Sequence, residues 1–215
     1  MKPKPNNNIH SVLCYGDSNT HGLIRTTPHE RFEPSERWPG VLQAYLGKDW
    51  IVYEEGLSGR TTISDDPVEG AYRNGRTFLK TCLETHRPLD VIILMLGTND
   101  LKAVFNKSPE DVGYGINLLI EDIHKFQEER NRGKLKTILV SPPLIQEKLD
   151  DYAEKFNRAY EKSLMLSDIY KEIARQHNID FLDAALYADT MGTDGIHMNL
   201  KSHQSLGLIL SKKIK

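Results

Sequence analysis

The stretch VIILMLGTND, residues 91–100, joins an uninterrupted apolar run to a polar loop that opens with glycine. Six consecutive apolar residues without alternation are typical of a central parallel strand, which is covered on both faces. Four other apolar runs have strand length. They are SVLCYG (11–16), IVYEE (51–55), TILVS (137–141) and IDFLD (179–183). The sequence therefore predicts five strands.

Helical patterns separate these strands. The clearest begins at Ser108, which offers a capping hydroxyl and is followed by Pro109 and two acidic residues. The apolar residues after it keep the 3.6-residue period of a helix that packs one face on a sheet. Further helices are predicted over residues 38–46, 73–86, 154–177 and 201–213. Strands regularly separated by helices predict an α/β fold with a parallel sheet and right-handed crossovers.

Length and composition favour one domain over residues 9–215, preceded by a flexible tail, MKPKPNNN (1–8). The 28 basic and 30 acidic residues are intermixed and leave a net charge of −2, so nucleic acid is not predicted as a partner. No apolar run approaches the roughly 20 residues that span a membrane. Since neither nucleic acid nor a membrane span is predicted, the expected partner is a small molecule.

Both cysteines, Cys14 and Cys82, lie in apolar stretches. We interpret them as buried free thiols, which suits a reducing compartment. No apolar segment of the kind found in secretory signals follows the basic residues at the start of the chain. Together these features predict a cytoplasmic protein.

The loops that follow the predicted strands carry the candidate chemistry, because ligands of open parallel sheets bind beyond the carboxyl ends of the strands. Four of these five loops combine glycine with small polar residues. Glycine permits tight turns and lets backbone N–H groups approach a ligand. The four loops are GDSNTHG (16–22), GLSGRTT (56–62), GTND (97–100) and DGIH (194–197).

These loops together contain the groups that acyl transfer needs: a hydroxyl nucleophile, an imidazole base, a carboxylate and donors for an oxyanion. Asp194 and His197 are three residues apart, so a single helical turn could bring their side chains together. Each residue also has a simpler interpretation. Ser18 could cap the following helix, Asn99 could occupy a left-handed turn, and Asp-Gly favours turns by itself.

The order GDSNTHG, GLSG, GTND and DGIH resembles the four marker blocks of the SGNH (GDSL-type) serine hydrolases. The longer stretches EEGLSGRTT, MLGTNDLK and DGIHMN resemble sequences of the arylesterase/acyltransferase branch of that family. The resemblance implies a flavodoxin-like three-layer α/β/α sandwich. It also implies Ser18 as nucleophile, His197 as general base, Asp194 as its orienting carboxylate, and no cofactor or metal. The implied oxyanion hole consists of the backbone N–H groups of Ser18 and Gly59 and the side-chain amide of Asn99.

The implied activity is hydrolysis of short-chain or aryl carboxylic esters through an acyl-enzyme, with acyl transfer as a side activity. In the acyltransferase branch, the residues that follow the nucleophile tend to be hydrophobic and often include Trp. This chain has His21 there, which favours hydrolysis over acyl transfer. The sequence offers no wide apolar lid, so we expect acetyl to butyryl chains to be preferred. A homo-oligomer is left open.

Other functions remain possible on the same fold. Within the hydrolases they are a carbohydrate acetylesterase and a lysophospholipase or thioesterase. Outside them the rival is a flavin mononucleotide carrier, whose phosphate would bind the hydroxyls of Ser18 and Thr20 after the first strand. The flavin interpretation leaves Asp194 and His197 without a role.

Overall fold

Five parallel strands form one sheet, as predicted. The strands are β1 (His10–Gly16), β2 (Trp50–Gly56), β3 (Val91–Met95), β4 (Lys136–Ser141) and β5 (Asp180–Asp183). Their order in the sheet is β2-β1-β3-β4-β5. The computed structural model of the protein describes residues 9–24, 30–130, 134–149, 151–191 and 193–215. The predicted tail, residues 1–8, lies outside these described residues.

The central strand β3 is buried along its whole length, which explains its uninterrupted apolar sequence. Its side chains alternate between the two faces of the sheet: Ile92 and Leu94 enter one core, and Ile93 and Met95 enter the other. Burial on both faces removes the apolar–polar alternation that a half-exposed strand would show.

Helices cover both faces, so the predicted three-layer α/β/α sandwich is confirmed. Helices α2 (Trp38–Leu46) and α6 (Leu200–Ile214) pack together over one face. The other face carries α3 (Gly75–His86), α4 (Pro109–Glu129) and α5 (Ala159–His177). The short helix α1 (Ser18–His21) directly follows β1.

Two of the predicted helix starts are wrong. Helix α3 begins at Gly75 rather than at residue 73, because the Asn74 side chain accepts hydrogen bonds from the N–H groups of Arg76 and Thr77. Helix α5 begins at Ala159 rather than at residue 154, because the preceding residues form turns and Arg158 has a left-handed φ of 61°. The turns free residues 152–156 to lie against the functional site described below.

The register of the sheet brings the candidate loops together. Gly16 at the end of β1 lies opposite Gly56 of β2 and opposite Met95 of β3. The loops after these three strands therefore leave the sheet side by side, at the carboxyl edge where ligands of such folds bind.

Candidate active site

Ser18 lies in the first turn of α1, immediately after β1. Asp17, not Ser18, caps this helix: its carboxylate accepts the Asn19 N–H at 2.9 Å. The alternative in which Ser18 is the helix cap is therefore wrong. The Ser18 hydroxyl instead lies 2.9 Å from Nε2 of His197, and Nδ1 of His197 lies 2.6 Å from Oδ2 of Asp194.

Asp194 and His197 come together through a tight turn rather than through the helical turn that their spacing suggested. Gly195 between them has a φ of +82°, which an α-helix does not contain. One oxygen of Asp194 accepts the backbone N–H groups of Ile196 and His197, at 2.9 and 2.8 Å. The other oxygen holds the imidazole, so one carboxylate organises both the turn and the ring.

Asn19 joins this turn to the nucleophile-bearing helix. Its side-chain amide donates to the carbonyl of Ile196 at 3.2 Å and accepts the Met198 N–H at 2.9 Å. Nothing in the sequence marks Asn19 for this role, because its partners lie 177 and 179 positions away. The two hydrogen bonds fix the His197 ring relative to Ser18.

The Asp194 carboxylate is ionised at neutral pH. Burial alone would raise its pKa, but the hydrogen bond and charge of His197 and two backbone N–H groups lower the pKa to about 2. A buried negative charge beside Nδ1 orients the ring with Nδ1 toward Asp194 and Nε2 toward Ser18, and it stabilises the imidazolium that forms when the Ser18 hydroxyl gives up its proton. The arrangement can therefore activate the Ser18 hydroxyl.

The predicted oxyanion-hole residues lie at the same cavity. Asn99 occupies a 3₁₀ turn after β3; the left-handed φ, +126°, belongs to Gly97 instead, so the left-handed interpretation of Asn99 is wrong. The Asn99 amide donates to the Arg60 carbonyl at 3.1 Å and to Oδ2 of Asp17 at 3.5 Å. The contact with Asp17 is longer than the usual range of about 2.7–3.2 Å, so this N–H is held only weakly and is the one available to a ligand. In the part of the chain that the structure describes, the backbone N–H groups of Ser18 and Gly59 have no hydrogen-bond acceptor.

Ser18, Gly59, Asn99 and His197 all line one cavity of about 150 Å³. The rest of its lining contains apolar and charged residues and one further hydroxyl. The apolar residues are Leu23, Tyr152, Phe156 and Ile196, the charged residues are Glu69, Lys102 and Lys155, and the hydroxyl belongs to Ser58. The side chains that acyl transfer needs thus converge on a space the size of a small ligand.

The GDSL-like lipase/acylhydrolase family model matches residues 14–204. The chain belongs to this family. A native aryl esterase from M. smegmatis is similar at 37% identity and a TM-score of 0.90, over 95% of this chain and 98% of that chain. A carbohydrate acetylesterase from Sinorhizobium meliloti has 36% identity and the same TM-score and coverage. No curated protein matches this chain in sequence.

A third solved structure, a putative arylesterase from Agrobacterium tumefaciens, is 32% identical with a TM-score of 0.85, over 96% of this chain and 98% of that chain. Membership confirms the SGNH resemblance, and the chain is an ester hydrolase of this family. The roles of Ser18, Asp194, His197, Gly59 and Asn99 stay predictions that the geometry supports.

Family membership favours hydrolysis over the flavin alternative, and so does the loop after β1. The Thr20 side chain is fully buried, so its hydroxyl is not presented to a phosphate. Ser18 faces His197.

Among the residues that the structure describes, no group of three or more His, Cys, Asp or Glu side chains could hold a metal ion. None of their helices is both long and apolar enough to cross a membrane.

Proposed function

We propose that the protein is a serine esterase that hydrolyses short-chain or aryl carboxylic esters through an acyl-enzyme on Ser18, with acyl transfer to alcohols as a side activity. The hydrogen-bonded series from Ser18 through His197 to Asp194, at the floor of a small cavity, carries this proposal. Similarity to aryl esterases supports the same class of substrate.

The proposed reaction has two steps. In the first, Nε2 of His197 takes the Ser18 proton while Oγ bonds to the ester carbonyl carbon, and the new oxyanion receives hydrogen bonds from Ser18, Gly59 and Asn99. The carbon–oxygen bond to the alcohol then breaks, and His197 gives the proton to the leaving oxygen. Water repeats the sequence on the acyl-enzyme and releases the acid; an alcohol in place of water gives acyl transfer.

The size of the cavity supports short acyl chains. Its volume of about 150 Å³ is below the roughly 300–1,000 Å³ of pockets that hold drug-sized ligands. The rings of Tyr152 and Phe156 line the cavity, and Phe156 is itself buried in the core. An acetyl or butyryl group needs no rearrangement of these rings, whereas a long chain does.

A carbohydrate acetylesterase is the second candidate, because charged residues are part of the cavity lining. Glu69 and Lys155 offer an acceptor and a donor to the hydroxyl groups of a sugar. The similarity to a carbohydrate acetylesterase, at 36% identity, supports this candidate as well.

A substrate panel tests both candidates. The purified protein would be given p-nitrophenyl acetate, butyrate and palmitate, acetylated sugars, and acyl thioesters. We expect the acetyl and butyryl aryl esters to react fastest, and a higher kcat/KM on sugar acetates would favour the second candidate. Preference for palmitoyl esters or thioesters would contradict both. Ser18→Ala should abolish turnover, whereas Ser58→Ala, which removes another hydroxyl beside the same cavity, should retain most of it.

We also propose a cytoplasmic location, supported by the two thiols. Cys14 and Cys82 are both buried and free. Burial raises the pKa of Cys82 to about 12 and that of Cys14 well above its ordinary value, so neither thiol reacts readily. Fractionation of cells that express the tagged chain would test the location.

A further inference from the structure

The segment that carries Asn99 is cross-linked by polar contacts to the loop that carries Gly59. We call residues 57–70 the Gly59 loop and residues 97–107 the Asn99 segment. Three nearly consecutive polar residues of the Asn99 segment each bind the Gly59 loop. Asn99 binds the Arg60 carbonyl, Asp100 binds Thr62, and Lys102 binds Asp66 and Glu69.

Asp100 forms the tightest of these links. Its carboxylate accepts the Thr62 N–H at 2.8 Å and the Thr62 hydroxyl at 2.6 Å, and both residues are fully buried. Lys107 contacts the same carboxylate at 2.7 Å. A buried carboxylate is costly to leave unpaired, so this geometry tolerates little displacement. Since Asp100 is the neighbour of Asn99, it fixes the backbone from which the Asn99 amide projects.

Lys102 forms the second link, in which both partners are buried. Its side chain is 3% exposed and its ammonium lies 3.0 Å from Asp66, whose side chain is 1% exposed. The other Asp66 oxygen accepts the N–H groups of Val68 and Glu69, at 2.9 and 2.8 Å. The Lys102–Asp66 pair thus ties the Asn99 segment to an ordered turn of the Gly59 loop.

The Gly59 loop is itself anchored to the strand that precedes Ser18. The Leu57 N–H donates to the Gly16 carbonyl at 3.1 Å, and the Arg60 guanidinium donates to the same carbonyl at 2.9 Å. These contacts therefore fix the Gly59 loop relative to β1, and the contacts of Asn99, Asp100 and Lys102 fix the Asn99 segment relative to the Gly59 loop.

We propose that Asp100 and Lys102 are positioning residues, which hold the Asn99 amide at the distance from Ser18 that the oxyanion requires. The inference rests on the proposed function, in which Asn99 donates to the oxyanion. Such a donor acts at 2.7–3.1 Å, and a misplacement of about 1 Å costs roughly a hundredfold in rate. Buried ion pairs contribute little net stability, so we assign to the Lys102–Asp66 and Lys107–Asp100 pairs the role of fixing the geometry of the Asn99 segment.

A matched pair of variants at Thr62 tests the first link. Thr62→Val keeps the shape but removes the hydroxyl that donates to Asp100, whereas Thr62→Ser keeps the hydroxyl. We expect Thr62→Val and Lys102→Met to lower kcat by about tenfold to a hundredfold with KM changed less than about threefold. Thr62→Ser should stay near wild type. Equal kcat values for the Val and Ser variants would overturn the proposal.

A double-mutant cycle with Asn99→Ala separates positioning from general destabilisation. If Thr62 and Lys102 act through the Asn99 amide, Thr62→Val and Lys102→Met should each lower kcat less than about twofold in the Asn99→Ala background. Rate losses that multiply would overturn the proposal. Arg76→Met, which breaks the exposed pair with Asp122 between α3 and α4, is the control for loss of an ion pair and should leave kcat unchanged.

If Lys102→Met fails to fold, as judged by circular dichroism, the comparison of Thr62→Val with Thr62→Ser tests the positioning proposal by itself. If Ser18→Ala retains activity, the proposed function itself fails. If Ser18→Ala is inactive while the cycle is multiplicative, only the positioning inference fails.

Discussion

Nε2 of His197 lies 2.9 Å from the hydroxyl of Ser18, although 179 positions separate the two residues in the chain. The contact joins the short helix α1, directly after β1, to the turn that precedes α6. Both partners are buried, with His197 at 7% and Ser18 at 4% exposure, so water does not compete freely for the hydrogen bond. This contact brings a base to a hydroxyl at the carboxyl edge of the parallel sheet.

Asp194→Asn tests the orienting carboxylate. The amide keeps the shape of Asp194 but removes the charge that stabilises the imidazolium, and it permits the wrong ring tautomer. We expect kcat to fall by about 10³–10⁴-fold with KM nearly unchanged. Asp189→Asn, which alters an exposed carboxylate nearby that binds Met191 and Asn199, should have little effect. Steady-state kinetics on p-nitrophenyl acetate measure both variants; a loss below tenfold for Asp194→Asn would contradict the assignment.

Asn99→Ala tests the side-chain donor of the oxyanion hole. Loss of one such donor lowers kcat by about 10²–10³-fold, because the hydrogen bond strengthens as the oxyanion forms, while KM changes little. The measurement is kcat and KM on the same acetate ester. A decrease of less than tenfold would instead mean that the amide serves mainly to bind the Arg60 carbonyl.

The fold could be predicted because its signals are local. An apolar run such as residues 91–96 is a strand buried on both faces, and Ser108 with Asp111 does form the capping box that opens α4. The site loops could be predicted because parallel strands end at one edge. Helix starts at Gly75 and Ala159 could not, since a cap at Asn74 and a left-handed Arg158 decide them.

The site residues that escaped prediction are those whose role depends on distant partners. Asn19 acts through residues 177 and 179 positions away, and Lys102 acts through Asp66, 36 positions away. A single sequence carries no signal for such pairs. The sequence predicts Phe156 inside a helix over residues 154–177, and this residue reaches the cavity because the helix begins later, at Ala159.

Asp17→Asn tests the electrostatics beneath the nucleophile. Burial raises the pKa of Asp17 from 3.8 to about 6, partly offset by the Asn19 N–H and the charge of His197. The raised pKa stabilises the fold fully below pH 3.8, and this stabilisation is lost as the pH rises through about 6. The free energy of unfolding of wild type minus that of Asp17→Asn should therefore fall by about 2 kcal/mol between pH 4 and pH 7. Urea titrations at each pH measure it, and a difference independent of pH would contradict the prediction.

Acyl-chain length tests the shape of the cavity. For wild type, kcat/KM should fall from acetyl and butyryl to octanoyl and palmitoyl p-nitrophenyl esters, because the cavity has a volume of only about 150 Å³ and the rings of Tyr152 and Phe156 line it. Tyr152→Ala should shift the preference toward longer chains by making room, while Tyr114→Ala, which removes an exposed ring from α4, should not. Faster wild-type turnover of palmitoyl than of acetyl esters would contradict the account.

The most direct test of the central claim is the site at which a serine-directed fluorophosphonate adds its mass. After incubation and proteolysis, mass spectrometry should find one added phosphonyl group on the peptide that contains Ser18. Labelling should be lost in Ser18→Ala and should slow by several orders of magnitude in His197→Ala, together with the loss of esterase activity. Labelling at Ser58 or Ser141, or full esterase activity in Ser18→Ala, would contradict the proposal that Ser18 is the nucleophile.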